Sequence, residues 1–281
     1  MEALQRLANL KPGVEADSRI AHVRWLKGDL KGAIAAMESA ARATSPRAAE
    51  NCAWTFARLS GFYLQAGRID AAFNAAEAAS KHVSAYPPAL LARGRALLAL
   101  GKSEEAIPML KIAAELNPLP EYQWWLADAL RVGGRADAAA KVEAGLKRRG
   151  ETSDPRTLAL FLATRREDAA TALRLAREEL ASRGDVFTHD VLAWALAASG
   201  DSAAADIEMR LALAERTQDA RLLWHAGEIA LMRGAKAEAD EFFRKAEPFA
   251  ATLTPSERSR LTVRLGASAR STSSGQVAQS K

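Results

Sequence analysis

Three consecutive residues, Gly101-Lys102-Ser103, have the types that end a phosphate-binding loop. Such a loop cradles phosphate oxygens with backbone N–H groups, and it needs a further glycine five residues upstream, between a strand and a helix. Ala96 stands at that place, and the flanking apolar residues recur at helical spacing. We therefore interpret the triplet as a turn between two helices and predict no nucleotide site.

Histidine and carboxylate residues meet the requirements of a metal site only in part. His189-Asp190 and His225-Ala-Gly-Glu228 each place an imidazole near a carboxylate, whereas a metal usually needs three converging ligands. We expect hydrogen-bonded helix histidines instead. The single cysteine, Cys52, can form no internal disulfide and is predicted to be a small buried side chain.

Known catalytic patterns are absent from the sequence. It contains no Ser-His-Asp elbow, no HExxH motif and no glycine-rich dinucleotide turn. We predict no catalytic residue, no cofactor, no metal and no small-molecule substrate. The chain is not expected to be an enzyme.

Composition favours an all-helical chain. Hydrophobic residues make up 49% of the sequence but aromatic residues only 6%, and because Ala and Leu supply most of the rest, close helix packing is favoured over sheets. The formal net charge of +5 can indicate a nucleic-acid partner. Both signs are interleaved along the chain, however, as on a solvated helix surface.

The N-terminus lacks the long apolar core of a secretory signal. No apolar run reaches the roughly 20 residues that a membrane span requires. We expect a soluble chain without a membrane span, cytoplasmic as given, or periplasmic if the natural chain begins further upstream.

A glycine followed five residues later by an alanine recurs through the chain. The pairs are Gly28 and Ala33, Gly67 and Ala72, Gly101 and Ala106, Gly134 and Ala139, Gly200 and Ala205, and Gly234 and Ala239. Subtracting successive glycine numbers gives 39, 34, 33, 66 and 34. Because 66 is two periods of 33, one repeat lacks its glycine near Glu167, five residues before Ala172. This regularity predicts seven stacked repeats.

The two phased residue types have physical reasons. Glycine adopts at little cost the left-handed conformation that commonly ends a helix. An alanine early in the next helix lets two helices approach closely. Asp29 and Ser103, in the turns, supply oxygens of the kind that cap a new helix. Each repeat is therefore predicted to be two helices joined by a tight turn.

This pattern resembles the tetratricopeptide repeat, and its Ala- and Arg-rich style is similar to that of bacterial members. The resemblance implies an all-α, right-handed superhelical solenoid of about seven helix-turn-helix repeats with a C-terminal capping helix. It also implies a non-catalytic scaffold or adaptor that binds a peptide or partner protein in its concave groove. The residues that carry the best match are Leu90, Gly94, Leu97, Gly101, Ala106, Leu110 and Pro118.

The repeat pattern divides the chain into four segments. We predict a half-repeat helix over residues 1–13, the array over 14–252, a capping helix over 253–268 and a disordered tail over 269–281. The capping helix should begin at Thr254-Pro255 and turn its arginines 258, 260 and 264 to solvent.

Two features depart from the repeat pattern. Extra residues in the first repeat predict a longer loop within residues 43–51. Glu143 stands where a large apolar residue is expected.

The first helices line the concave face in the tetratricopeptide family, so positions beside each core stripe are candidates for partner binding. We expect Trp25, Trp124 and Trp224 to be exposed there, whereas for Trp194 filling a gap between repeats is an equal alternative; Trp and Arg are common binding anchors. Leu64 is a further candidate. The predicted groove residues are His22, Trp25, Arg95, Trp124, Asp128, Arg131, Phe161, Arg165, Asp190, Trp194, Arg221, Trp224 and Glu228.

A nucleic-acid-binding helical repeat is the alternative function, motivated by the basic charge. Repeat proteins of that kind read one base per repeat with paired side chains at fixed positions. The groove positions show no such regular pairing, and acidic residues interrupt any basic stripe. A protein or peptide partner is therefore favoured.

Overall fold

The computed structural model describes residue 6 and residues 13–278, with side chains as far as residue 267. The predicted half-repeat helix at residues 1–13 lies almost entirely outside the described residues. Residues 13–278 form helices and turns without a strand. The helices are α1 (Val14–Leu26), α2 (Leu30–Ala43), α3 (Ala49–Gln65), α4 (Ile69–His82), α5 (Pro87–Ala99), α6 (Ser103–Leu116), α7 (Pro120–Val132), α8 (Ala136–Ser153), α9 (Pro155–Arg165), α10 (Ala169–Ser182), α11 (Val186–Ala198), α12 (Ser202–Ala212), α13 (Ala220–Met232), α14 (Lys236–Ala246), a 3-10 helix (Glu247–Thr252) and α15 (Pro255–Ala278).

These helices form the predicted repeats. The odd-numbered helices α1 to α13 are the first helices of seven repeats, and the even-numbered helices α2 to α14 are the second helices. Each second helix follows its first helix after a short turn, and the two pack together, as α3 packs on α4 and α11 on α12. The all-α helical repeat fold is confirmed.

The periodic glycines end the first helices in the left-handed conformation. Their φ angles lie between 68° and 88° at Gly28, Gly67, Gly101, Gly134, Gly200 and Gly234. In the first turn, the Gly28 N–H donates to the Trp25 carbonyl and the Asp29 N–H donates to the Arg24 carbonyl, which satisfies helix-end acceptors. The predicted role of these glycines is confirmed.

The phased alanines all lie in the core. All seven are fully buried: Ala33, Ala72, Ala106, Ala139, Ala172, Ala205 and Ala239. The first helix α5 also lies very close to the second helix α6 at Gly94, where an added Cβ would be 2.6 Å from Leu110 Cδ2. Gly227 meets the ring of Phe243 in the same way. Small residues on first helices therefore receive large side chains from second helices.

The fifth turn forms without a glycine. Arg166 adopts the left-handed conformation with φ 54°. Its N–H donates to the Ala163 carbonyl and that of Glu167 to the Leu162 carbonyl, which repeats the bonding of the glycine turns. Arg166 thus takes the role of the missing turn glycine, one residue before Glu167, where that glycine was expected. Because a non-glycine residue in this conformation costs roughly 1–2 kcal/mol, this turn is strained.

The chain divides into two compact units. Unit 1 contains Met1–Leu158 with Ala214–Gln218, and unit 2 contains Ala159–Leu213 with Asp219–Lys281. The predicted longer loop of the first repeat is not found in unit 1: residues 44–48 join α2 to α3 much as residues 83–86 join α4 to α5, and the extra residues lengthen α3 to 17 residues instead. The short segment of unit 1 at 214–218 is bound to the end of α1, since Thr217 Oγ1 donates to the Leu26 carbonyl at 2.8 Å.

The last helix of unit 2, α15, begins at Pro255 as predicted. Glu257 accepts a hydrogen bond from the Thr254 N–H at 2.9 Å, which caps this helix start. The helix continues to Ala278, beyond the predicted end at residue 268, and so differs from the predicted disordered tail. The added residues contain no proline, and a helix already begun is extended at small cost. Residues 279–281 lie outside the described part.

Candidate functional site

An open groove of about 230 Å³ lies on the first helices α3, α5 and α7 of unit 1. These helices belong to three successive repeats, so the groove runs across the face on which the resemblance places partner binding. We call it the first-helix groove. The residues that give it its character are Trp54, Arg58 and Gly61 on α3, Arg95 on α5, and Glu121 and Tyr122 on α7.

Small side chains make the floor of the first-helix groove. Ala57, Ser60 and Ala92 line it, and a Cβ added at Gly61 would meet no described atom within 4 Å. Trp54 stands at the edge with 38% of its surface exposed. An exposed tryptophan beside an open floor is a typical binding anchor.

Charged groups surround this floor. The Arg95 guanidinium lies 4.8 Å from the centroid of the Trp125 ring, and its Nη1 lies 3.8 Å from Glu121 Oε1. Arg58 is exposed, and partial desolvation by its neighbours lowers its pKa, while the negative charge of Glu121 acts in the opposite direction. Arginine remains charged near neutral pH in either case. Two cations and one carboxylate thus face the groove, which suits a partner segment that carries acidic residues.

Several residues of unit 1 were predicted to line a groove. Arg95 and Leu64 lie in the first-helix groove. On α1, His22 is exposed and Trp25 is half-buried, with their ring centroids 5.8 Å apart. His22 is thus exposed and Trp25 and Arg95 are half-buried, whereas Leu64 is buried at the groove.

The expected exposure on α7 is wrong for Trp124 and Asp128, whereas Arg131 is exposed. Trp124 is only 3% exposed and Asp128 is buried, because α5, α6 and α8 all pack against this helix. Arg131 Nη2 pairs with Glu143 Oε2 at 2.5 Å. That pair explains how a carboxylate replaces the apolar residue expected at position 143, and it turns Arg131 toward α8.

The sequence reasoning missed Trp54 and Arg58. Their positions could have been found by extending the α3 stripe backwards from Leu64, since residues 61, 58 and 54 precede it at helical spacing.

The predicted groove positions of unit 2 form a closed core. Phe161, Asp190, Trp194, Trp224 and Glu228 are all buried. The expected exposure of Trp224 is therefore wrong, and Trp194 fills a gap between repeats. Arg165 is half-buried, with its guanidinium 5.5 Å from the Phe161 ring centroid.

Stacked rings and hydrogen bonds hold this core together. The ring of His225 stacks on Trp194 with centroids 4.1 Å apart. Its Nδ1 lies 2.8 Å from Asp190 Oδ1, and Trp194 Nε1 donates to Thr164 Oγ1 at 3.0 Å. The Trp194 indole N–H and the Nδ1 of His225 are thus paired, whereas Trp224 Nε1 and His225 Nε2 have no hydrogen-bond partner among the described residues.

Two ion pairs join α15 to α13. Arg221 donates two hydrogen bonds to Glu257, each of 2.8 Å, and Arg264 donates two to Glu228, each of 2.7 Å. Both pairs link residues 36 positions apart, so α15 lies beside α13 as the next first helix would. Burial alone would raise the pKa of Glu257, but the charge and hydrogen bonds of Arg221 outweigh it and the pKa is lowered.

The arginines of α15 do not all face solvent as predicted. Arg264 pairs with Glu228, and Arg260 Nη1 donates to the Thr164 carbonyl at 2.9 Å. The guanidinium groups therefore reach back onto the first helices of unit 2, because unpaired carbonyl and carboxylate oxygens there attract them.

The residues first considered for chemistry have structural roles. His189 Nδ1 lies 2.7 Å from Glu208 Oε2, so both histidines near carboxylates are hydrogen-bonded as expected. Cys52 is buried, and Gly101 forms its turn. Within the described residues, no three His, Cys, Asp or Glu side chains converge on a metal position, and no helix there has the length and apolar character of a membrane span.

Comparison with known proteins agrees with the fold. A model of the tetratricopeptide repeat family matches residues 91–154, which cover two repeats. No curated protein matches the chain.

Several solved structures are similar. A tetratricopeptide repeat protein from Parabacteroides merdae is 18% identical, with 90% of this chain and 98% of that chain covered and a TM-score of 0.47. A human IFIT1 dimer with PPP-AAAA is 16% identical, with 92% and 64% covered and a TM-score of 0.51. A human IFIT1 dimer with m7Gppp-AAAA is 14% identical, with 87% and 69% covered and a TM-score of 0.52.

The fold, the turn glycines and the family match converge on one assignment. Seven helix pairs repeat with the same left-handed turns and the same buried alanines. The matching family model covers two of these pairs. The described chain therefore has a tetratricopeptide-type helical repeat fold, and residues 91–154 match the model of that family.

Proposed function

We propose that this chain is a non-catalytic scaffold that binds a segment of a partner protein in the first-helix groove. The observation that carries the proposal is the open floor at Gly61 beside the exposed Trp54. An apolar side chain of the partner lies on that floor against the indole ring. Arg58 and Arg95 bind carboxylates that flank it. The tetratricopeptide fold is typically a non-catalytic, protein-binding fold.

Unit 2 supports this chemistry with the chain's own last helix. There α15 lies beside the first helix α13, and charged pairs of opposite polarity fix its position. In unit 1 the corresponding face retains charged groups on α3, α5 and α7 with an open floor between them. A helical or extended segment with one apolar anchor and nearby acidic residues satisfies both features.

Gly61→Leu tests the proposal without disturbing the core. The added side chain enters open space and fills the floor. The matched control is Gly266→Leu on α15, because a Cβ there also meets no described atom within 4 Å. The full chain and both variants are used as bait in an extract of the source organism, and captured polypeptides are quantified by mass spectrometry.

We expect specific polypeptides to be captured by the native chain and by Gly266→Leu but lost with Gly61→Leu and with Trp54→Ala. Equal capture by all four proteins would contradict the proposal.

Nucleic-acid binding is a second candidate at the same groove. An exposed tryptophan beside two arginines can stack a base and bind phosphate, and the IFIT1 dimers of similar fold were solved with PPP-AAAA and m7Gppp-AAAA. Glu121 in the groove wall opposes a polyanion. Titration with labelled oligoadenylate separates the two functions: tight binding that weakens steeply with salt and is lost with Gly61→Leu would favour the nucleic acid.

A further inference from the structure

A second, larger groove of about 680 Å³ lies between α6 and α8 of unit 1, over α7. The second helices form its walls, so it is separate from the first-helix groove. We call it the second-helix groove. Aliphatic side chains make its floor: Ile107, Ala114, Leu126, Leu130 and Val142.

The rim of the second-helix groove is strongly basic. The only carboxylate among its lining residues is that of Glu115. The five cationic lining residues are Lys111, Arg135, Lys141, Arg148 and Arg149. Lys111 lies 3.9 Å from Glu115, and Arg135 pairs with Glu104. Within the described part of the chain, Lys141, Arg148 and Arg149 have no side-chain ion pair. Three positive charges are therefore available to a ligand.

Nitrogen donors converge at one point of this rim. Around the position of a Cβ on Gly145, Arg149 Nη2 lies at 3.5 Å, Gln123 Nε2 at 3.6 Å and Arg148 Nη2 at 3.9 Å. Gln123 is 6% exposed, and its Oε1 has no hydrogen-bond partner among the described residues. A carboxylate would accept hydrogen bonds from the three nitrogens. A backbone N–H would satisfy the oxygen, since a buried acceptor left unpaired is unfavourable.

These features favour a polypeptide over a nucleic acid. The lining contains no Trp, Phe, Tyr or His ring, whereas single-stranded nucleic acids are held largely by stacking of their bases on aromatic side chains. An aliphatic floor instead accepts Leu, Ile or Met side chains. The unsatisfied acceptor of Gln123 also suits a peptide backbone.

We propose that the second-helix groove binds an acidic amphipathic segment of a partner protein. The apolar side chains of the segment lie on the aliphatic floor, and one of its carboxylates binds between Arg148, Arg149 and Gln123. The chain thereby has two binding surfaces in unit 1, one on its first helices and one on its second helices.

The test uses the full chain and a fluorescein-labelled amphipathic peptide with one leucine-rich and one glutamate-rich helical face. Binding is measured by fluorescence anisotropy. We expect the peptide to bind, and its isomer with glutamine for every glutamate to bind about tenfold more weakly or worse, because close charge pairs dominate such contacts. Failure of the glutamate peptide to bind, or equal binding of both peptides, would overturn the proposal.

Charge reversal locates the contact. Arg148→Glu combined with Arg149→Glu should lower the affinity for the glutamate peptide by about tenfold or more. Lys31→Glu combined with Lys81→Glu makes the same change in net charge at exposed sites outside both grooves, and it should change affinity by less than about twofold because distant charges are screened. Equal losses in the two double variants would mean general charge attraction and overturn the site.

Two further variants keep the test decisive. Gly145→Ala adds a methyl at ordinary contact distance, so the fold is retained while the space between the donors is reduced and the peptide is bound more weakly. Gly61→Leu should leave this peptide unaffected, which separates the second-helix groove from the first-helix groove. Labelled oligouridylate is tested as a competitor. If it displaces the peptide, and if its own binding is abolished by the Arg148 and Arg149 reversals, the surface binds nucleic acid and the proposal is overturned.

Discussion

In unit 1 the first helices leave Trp54 38% exposed beside an open floor, whereas in unit 2 they bury Trp194 and Trp224 to 5% and 1%. Both units place tryptophan and charged residues on first helices. In unit 2 the charged side chains pair with those of α15, and the ring of Trp194 packs against Trp224 and stacks on His225. In unit 1 small side chains keep the corresponding space open. The same residue types thus form a closed core or an open groove according to what faces them.

The largest contrast is expected from removing one tryptophan of each kind. Trp224→Ala should lower the free energy of unfolding by about 3–5 kcal/mol, because it leaves a large cavity in the core of unit 2. Trp54→Ala should lower it by less than about 1 kcal/mol, as for surface substitutions, and should abolish partner capture. Urea unfolding followed by circular dichroism measures both, and similar losses of stability would remove the distinction between the two faces.

The ion pair that closes unit 2 gives the next largest effect. Glu257→Gln should cost about 3 kcal/mol of stability, because the partly buried Arg221 loses the carboxylate that accepts two of its hydrogen bonds. Changing both residues to methionine should recover much of that loss. A double-mutant cycle by urea unfolding tests this, and strictly additive costs would show that the two side chains do not interact.

The same pair predicts a response to acid. The pKa of Glu257 is lowered in the folded state, so its contribution is complete above the unfolded pKa of about 4.3 and is lost as the pH falls through the lower folded value. The stability difference between the native chain and Glu257→Gln should therefore shrink below about pH 4. Thermal unfolding across an acid pH series measures it, and a constant difference would contradict the assigned pairing.

Two glycines of unit 1 sharpen the comparison between packed and open faces. Gly94→Ala should cost about 1–3 kcal/mol, because the new methyl collides with Leu110. Gly61→Ala should instead raise the free energy of unfolding by about 0.5–1 kcal/mol, because alanine favours the helix and its methyl group meets open space. Parallel urea melts give both values. Destabilisation by Gly61→Ala would mean that the first-helix groove is not open.

The smallest effect concerns the strained fifth turn. Arg166→Gly should stabilise the chain by about 0.5–1 kcal/mol, because relief of the left-handed strain exceeds the entropy that glycine loses on folding. Arg47→Gly, at an exposed loop position without positive φ, should be neutral or slightly destabilising. Thermal unfolding of the two variants checks the difference in sign.

Local geometry explains which features could be predicted from the sequence. Gly101 and Ala106 are needed wherever a tight turn joins two closely packed helices, so their spacing alone indicated the repeats. Exposure of an aromatic residue is decided by distant parts of the chain. Trp124 and Trp54 both lie on first helices of unit 1, yet only Trp124 is covered by neighbouring helices. The contact of Arg260 with Thr164, 96 residues away, has no local signal.

Under the proposed function, the open space above Gly61 makes partner recognition and folding nearly separable. The residues that pack the repeats together are buried and tolerate few substitutions. Position 61, in contrast, faces open space and accepts an added side chain without a clash. Substitutions at position 61 would therefore change which partner segment binds, while the repeat array stays folded. Partner preference can therefore diverge faster than architecture among chains built in this way.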